Sequence, residues 1–203
     1  MDADSAQQDL AFLKALVSEG PKTQRSAGEL FLVGGLVYAL QCLLNGLQIV
    51  FQWPWPASVW LVVGIAPTVV FMGWIFWLMW RNRRDSQQGV ATRALNAAFS
   101  SAGLANLSMC VVLGWVSVME KNFLIWLLYP AVVCALQGAC WYVACVIRRR
   151  LWLGAVSAGW FATAVALGFL IRDTASYLLV FGLALVVLMA VPGYIMMRSD
   201  KAG

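Results

Sequence analysis

Six long apolar runs divide the sequence, and they constrain the fold more than any other feature. The hydrocarbon core of a bilayer is about 30 Å thick, which a helix of roughly 20 apolar residues can cross. Each run reaches that length, so we predict six membrane-spanning helices. Membrane strands would alternate in polarity over about 10 residues, and no run alternates in this way, so the predicted class is all-α. The predicted spans are 30–51, 56–80, 95–119, 123–147, 151–171 and 177–197.

The composition agrees with a chain that is surrounded by lipid. Apolar residues make up 62% of the 203 residues and charged residues 11%, whereas soluble domains average about 45–50% and about 25%. So few charges could not cover the surface of a soluble domain. We predict a polytopic six-helix bundle, built from three helical hairpins, whose first partner is the lipid bilayer.

Basic residues mark one side of the predicted membrane. Of the 14 lysines and arginines, only Lys121 and Arg172 fall on the opposite side. The positive-inside rule assigns the basic side to the cytoplasm. We therefore predict a multi-pass protein of a bacterial-type inner (cytoplasmic) membrane with both termini in the cytoplasm. This orientation explains the net charge of +5, so nucleic acid is not an expected partner. The residues on the basic side are Lys14, Lys22, Arg25, Arg81, Arg83, Arg84, Arg93, Arg148, Arg149, Arg150, Arg198 and Lys201.

The chain is predicted to have three parts. Residues 1–26 form a cytoplasmic segment with an amphipathic helix at 5–19, residues 27–197 form the transmembrane domain, and residues 198–203 form a cytoplasmic tail. Ser5 and Gln8 have the spacing of a capping box at the start of the short helix. Helices that bind anionic lipid are rich in Lys and Arg, and this one is mixed in charge. It is expected to dock on the protein's own cytoplasmic face or to recruit a protein partner.

Span 1 carries a row of polar side chains on one helix face. The steps between them alternate between three and four residues, which keeps them on that face. In a bilayer such a face turns toward protein or water. Asn106 of span 3 and Gln137 of span 4 are amides that could face the row. The row consists of Tyr38, Gln41, Asn45, Gln48 and Gln52.

Two interpretations of these polar residues remain open. In the first, they line a polar cavity that binds or passes a small neutral or cationic solute. In the second, they only join helices through hydrogen bonds, and the protein is an accessory or regulatory subunit that recruits a partner through its N-terminal helix. The predicted solute-binding residues are Tyr38, Gln41, Asn45, Gln48, Asn106 and Gln137.

Pro67 lies near the middle of span 2. Proline has no backbone N–H and disrupts the bond to the carbonyl four residues earlier, which here belongs to Val63. That carbonyl must find another partner or line a cavity. Interrupted helices at the midplane mark the binding sites of many transporters, so Pro67 is predicted to act as a hinge.

Small residues suggest which spans are central. Span 5 carries Gly154, Ala158, Ala162 and Ala166 at four-residue spacing, and span 4 has three alanines spaced alike. Such faces allow helix backbones to approach closely in lipid. We therefore expect these two spans to lie inside the bundle.

The sequence lacks the groups that most enzymes use. It contains no histidine, which removes imidazole ligation of metals and Ser–His or Cys–His catalysis. The five cysteines form no C-x-x-C pair, so neither a metal nor a cofactor is expected. Glu29 is expected to begin span 1 and to offset its dipole, with an ion pair to Arg25 or Arg93 as the alternative. The predicted function is non-enzymatic, without catalytic residues, and the oligomeric state stays open.

Overall fold

The computed structural model describes residues 21–81 and 90–198. Within these ranges the chain is helical and contains no strand. Six of the helices described there are long and apolar enough to cross a membrane. The predicted all-helical class is confirmed, and the six apolar helices suggest a multi-pass membrane protein. The predicted amphipathic helix at 5–19 and most of the predicted tail lie outside the described residues.

The helices follow the predicted apolar runs. Helix α1 begins at Pro21, well before the run at Leu30, because the missing N–H of proline has no helical partner at a helix start. Helix α3 begins at Val90 rather than Leu95. The last three elements together form the sixth span, Thr174–Arg198. The elements are α1 (Pro21–Phe51), α2 (Ala57–Arg81), α3 (Val90–Met119), α4 (Phe123–Arg148), α5 (Leu151–Leu170), α6 (Thr174–Leu185), a π-helical turn (Val186–Ala190) and α7 (Val191–Arg198).

Short links reverse the chain at the end of the bundle that has few basic residues. Gln52 and Lys121 end α1 and α3 in the left-handed conformation, with φ of 51° and 48°, as residues that terminate helices often do. Asp173 caps α6, and its side chain accepts a hydrogen bond from the Ser176 backbone N–H at 3.3 Å. Hydrogen bonds from Ser176 hold the pKa of the Asp173 carboxyl below its ordinary value.

The closest backbone contact joins α1 to the sixth span. A Cβ atom on Gly35 would lie 2.7 Å from the backbone nitrogen of Ala190. A Cβ atom on Gly193 would lie 2.6 Å from the Leu32 nitrogen and 2.7 Å from the Gly28 oxygen. Contacts this short leave no room for a side chain, so these glycines allow the two backbones to touch.

Contacts between neighbouring helices follow the order α2, α1, sixth span, α5, α4 and α3. At one end of the bundle axis, α1 and α3 also meet. There Phe31 of α1 packs edge-on against Phe99 of α3, with ring centroids 5.2 Å apart. We call this end the basic end, because it carries Arg25, Arg81 and Arg148. Extensive contacts join α4 to α5 and α1 to the sixth span. They cross the boundaries of the predicted hairpins, so the three-hairpin arrangement stays a prediction.

Candidate functional site

Gln41 of the polar face binds the carbonyl that Pro67 leaves without a helical donor. Its Nε2 donates to the Val63 oxygen at 3.1 Å and lies 3.4 Å from the Gly64 oxygen. Val63 is four residues before Pro67, so its oxygen is the acceptor that a proline frees. The sequence requires a partner or a cavity at this point, and the structure supplies the partner. Gln41 therefore ties α1 to α2 at the proline.

A second proline repeats this arrangement in the sixth span. Pro192 follows the π-helical turn Val186–Ala190, and the carbonyl four residues before it belongs to Leu188. The indole Nε1 of Trp160, from α5, donates to that oxygen at 3.2 Å. A side chain of a neighbouring helix thus again binds a main-chain carbonyl next to a proline.

The third proline inside a described span has a similar neighbour. The hydroxyl of Tyr177, from the sixth span, donates to the Leu127 oxygen at 2.5 Å. Leu127 is one residue after the carbonyl that Pro130 leaves without a donor. Three interhelical hydrogen bonds thus lie beside three prolines, and polar side chains at these points join helices.

The other residues of the polar face have different surroundings. Gln48 Nε2 donates to the Trp53 oxygen at 3.2 Å, which satisfies a carbonyl in the link after α1. Tyr38 packs edge-on against Phe71 of α2, with ring centroids 5.6 Å apart. Asn45 is half-buried and has no hydrogen bond to the part of the chain that the structure describes. Gln41 and Gln48 therefore have structural partners, whereas Asn45 does not.

The remaining two predicted site residues each bury an unpaired amide oxygen. Asn106 Oδ1 of α3 and Gln137 Oε1 of α4 are inaccessible to solvent, and no donor among the described residues binds either of them. An unpaired buried acceptor costs roughly 1–3 kcal/mol. Nearly all buried polar groups in proteins are hydrogen-bonded, so each exception calls for an explanation. Among the predicted site residues, these two oxygens are the buried acceptors without a donor in the part of the chain that the structure describes.

Each of the two amides shares a helix face with an aromatic residue whose ring contacts α1. Asn106 is seven residues after Phe99 on α3, and Gln137 is four residues before Trp141 on α4, so each shares a face with that aromatic residue. The rings of Phe99 and Trp141 pack against each other with centroids 5.9 Å apart. Both rings also contact Phe31 of α1, at 5.2 and 5.0 Å. The amides therefore lie deeper in the bundle than this aromatic cluster.

Helix α1 presents aromatic and polar residues to the same space. Tyr38 and Asn45 follow Phe31 at seven-residue intervals, which places all three near one face of the helix. By helix spacing, Tyr38 and Asn45 lie on the Phe31 side of α1, and Asn106 and Gln137 lie on the Phe99 side of α3 and the Trp141 side of α4.

A cavity of about 50 Å³ lies at the basic end among five of the six spans. Phe31, Phe99 and Trp141 form much of its apolar wall, and Asn96 and Arg148 contribute polar groups. Trp141 is 2% exposed, and its Nε1–H has no hydrogen-bond partner within the described ranges. No motif or spacing in the sequence predicts this cavity.

Glu29 joins α1 to α2 at the basic end. The side chain of Glu29 is 11% exposed. Its carboxylate lies 3.2 Å from Arg25 Nε and 2.7 Å from Arg81 Nη2. The expectation that Glu29 begins the helix is wrong, because α1 extends back to Pro21. The predicted ion pair with Arg25 is present. Arg81 rather than Arg93 is the second partner, because α2 packs directly against α1.

The described residues offer no obvious metal centre. No three Cys, Asp or Glu side chains gather within residues 21–81 and 90–198. All five cysteines are in this part of the chain, and none forms a disulfide there. They are spread over α1, α3 and α4, at depths where small apolar residues pack.

Comparison with known proteins identifies no relative: no protein family, curated protein or solved structure matches the chain. Its function has to be inferred from two features of the molecule. One is the pair of unpaired amide oxygens on Asn106 and Gln137, and the other is the cavity at the basic end.

Proposed function

We propose that the protein is a non-enzymatic membrane protein that binds, and passes, a small neutral or cationic solute between α1, α3 and α4. The observation that supports this is the pair of buried amide oxygens, Asn106 Oδ1 and Gln137 Oε1, which no donor of the described chain satisfies. An amide oxygen only accepts hydrogen bonds. The solute that fits these oxygens therefore carries N–H or O–H groups, as ammonium ions, amides and polyols do.

The surroundings of the two oxygens suit such a solute. Backbone contact between α1 and α3 is slight, because aromatic side chains hold these helices apart. The ring of Tyr38 can add a cation–π contact, which favours a cation.

Passage of the solute requires a part that moves, and α2 provides it. Pro67 interrupts the backbone hydrogen bonds of α2, and the bond from Gln41 to Val63 holds the helix at that point. Release of this one bond would free α2 to bend at the proline. We place the protein in a bacterial-type inner membrane with the basic end in the cytoplasm, on the positive-inside rule.

A second candidate function is that of an accessory or regulatory subunit. The observation that favours it is that Gln41 and Gln48 donate to main-chain carbonyls of their own chain. In this function the polar residues only join helices, and the predicted helix at 5–19 recruits a partner.

A pair of matched probes tests the solute site. The full-length protein in a mild neutral detergent is titrated with methylammonium, which carries N–H donors, and with tetramethylammonium, which carries none. We expect methylammonium to bind more tightly. In the Asn106→Leu, Gln137→Leu variant its affinity falls at least about tenfold, because two hydrogen bonds to a charged donor are lost. Calorimetry measures binding, and uptake of labelled methylammonium into reconstituted vesicles measures passage.

Gln52→Leu is the matched control, because Gln52 is exposed and its amide binds only the nearby Ile49 oxygen. The control keeps the affinity of the wild type. Equal binding of both probes, or full binding by the double variant, would contradict the solute site. Two results together would favour the accessory subunit. The double variant would fold normally without any effect on binding, and deletion of residues 2–19 would remove a co-purifying protein.

A further inference from the structure

We propose that the cavity at the basic end is a separate site, which binds a phosphate group. The ligand chemistry is that of a phosphate anion, carried by a membrane phospholipid headgroup or present as free phosphate. This inference does not rest on the proposed solute site. The two sites demand opposite ligands, since Asn106 and Gln137 offer acceptors and the cavity offers donors.

The first observation is the unused donor of Trp141. Trp141 is 2% exposed and lines the cavity. Its Nε1–H has no hydrogen-bond partner within the described residues. An indole nitrogen donates and does not accept. A ligand that satisfies it must therefore bring an acceptor, which excludes ammonium ions from this site.

The second observation is the cation in the same lining. Arg148 borders the cavity together with Asn96 and Thr92. A guanidinium group recognises phosphate oxygens with two parallel hydrogen bonds, and such charge-assisted bonds are about twice as strong as neutral ones. A phosphate in the cavity can thus accept hydrogen bonds from both Arg148 and Trp141, which line it.

The third observation is the charge of the basic end. Among the residues whose side chains are described there, the one carboxylate, Glu29, already binds two arginines. The described side chains at this end include seven arginines and one carboxylate, and this excess of positive charge attracts anions to the cavity. Basic pockets between membrane helices on the cytoplasmic side bind anionic lipid headgroups in this way. The described arginines at this end are Arg25, Arg81, Arg93, Arg148, Arg149, Arg150 and Arg198.

The walls of the cavity favour a ligand that also has an apolar part. Phe99 packs edge-on against Trp141, and the ring of Phe31 lies tilted against it, so the lining combines an aromatic part with the cationic Arg148. Glycerol and the first methylenes of a lipid chain suit the aromatic part. A free phosphate uses the cationic part alone.

Native mass spectrometry of the full-length protein in mild neutral detergent tests the site. The probes are dioleoylphosphatidylglycerol, dioleoylphosphatidylcholine and inorganic phosphate. We expect phosphatidylglycerol to occupy the wild type at least about fivefold more than phosphatidylcholine does. Arg148→Gln lowers this occupancy roughly tenfold, the effect of one charge-assisted bidentate contact. Arg150→Gln, which removes the same charge two residues away and outside the cavity lining, is the matched control and changes it less than twofold.

Trp141→Phe is the second variant, which keeps an aromatic ring and removes the N–H. It is expected to lower the occupancy roughly fivefold. Binding of inorganic phosphate that is lost in Arg148→Gln identifies the free anion as the source, and binding of phosphatidylglycerol alone identifies the lipid. Equal effects of Arg148→Gln and Arg150→Gln, or a Trp141→Phe variant that is less stable but unchanged in occupancy, would overturn the proposal. None of these results depends on methylammonium binding.

Discussion

The sixth span and α2 are both apolar helices, but the bundle holds them in different ways. In an apolar stretch of 18 residues, 33% of the residues are buried in the sixth span and none in α2. The sixth span lies between α1 and α5, and α2 has α1 as its main neighbour. Lipid gives helices no hydrophobic reason to associate. The difference in burial therefore reflects a difference in the interactions that hold each helix.

The sixth span is held by close contact along most of its length. Gly193 and the turn before it touch the backbone of α1, and on the other side the Trp160 indole binds the Leu188 oxygen. Helix α2 is held at separate points: by Gln41 at the proline, by the edge contact of Tyr38 with Phe71, and by the ion pair of Arg81 with Glu29. Because only these few contacts hold α2, they can break together, so α2 is the span best suited to move.

The largest expected effect comes from filling the glycine contact of the sixth span. In Gly193→Ala, the new methyl group would overlap backbone atoms of Gly28 and Leu32, which cannot move as a side chain could. We expect the free energy of unfolding to fall by about 3 kcal/mol, at the upper end for overpacking. Titration with SDS in mixed micelles, followed by circular dichroism, measures it.

Gly73→Ala in α2 is the matched control, because a Cβ atom there meets nothing within 4 Å. Replacing glycine by alanine inside a helix stabilises it by up to about 1 kcal/mol when nothing clashes. The two variants should therefore shift stability in opposite directions. A loss of the same size in both would show that the two spans are held alike.

Trp160→Phe tests the hydrogen bond beside Pro192 and is expected to have the next largest effect. The variant removes the Trp160 donor from the Leu188 oxygen, and the smaller ring leaves space beside the π-helical turn. We expect a loss of about 2 kcal/mol in the same SDS titration. Trp115→Phe, at a side chain of α3 that is 65% exposed, should change stability by less than about 0.5 kcal/mol. Similar losses in both variants would mean that the Leu188 bond contributes nothing.

The sequence predicts the spans well because crossing lipid is a local property. About 20 consecutive apolar residues suffice to identify a span, whatever its neighbours are. The freed carbonyl of Val63 is predictable for the same reason, since Pro67 alone determines it. Its partner Gln41 is not, because the register between α1 and α2 decides which side chain of the polar face reaches that oxygen.

Close packing and the cavity depend on pairs of helices, and sequence spacing predicts them poorly. The four-residue series on span 5 includes Ala158 and Ala162, which the structure leaves exposed. Alanine can face lipid as easily as a neighbouring helix, so its spacing does not distinguish the two. The glycine contact at Gly35 and Gly193 combines two distant segments, and no repeat within either segment reveals it.

The smallest effect, and the sharpest test of how α2 is held, is expected from Gln41→Leu. This variant removes the donor from the Val63 oxygen, and interhelical hydrogen bonds in membranes contribute about 0.6 kcal/mol on average and up to about 1.7. We expect a loss of about 1 kcal/mol. Pro67→Ala restores a backbone N–H for the same oxygen, so in that background Gln41→Leu should cost nearly nothing. A double-mutant cycle in the SDS titration measures the coupling.

The size of this coupling energy shows what Gln41 does. A coupling near 1 kcal/mol means that the Gln41 amide replaces the backbone donor that proline removed. In that case α2 can bend when the hydrogen bond from Gln41 to Val63 breaks. In that case Pro67→Ala also lowers the rate of methylammonium uptake while leaving its binding intact, because a continuous helix no longer bends. Additive losses, with no coupling, would mean that Gln41 stabilises α2 through packing alone. The hinge would then lose its physical basis, whereas the unpaired oxygens of Asn106 and Gln137 would still need a donor.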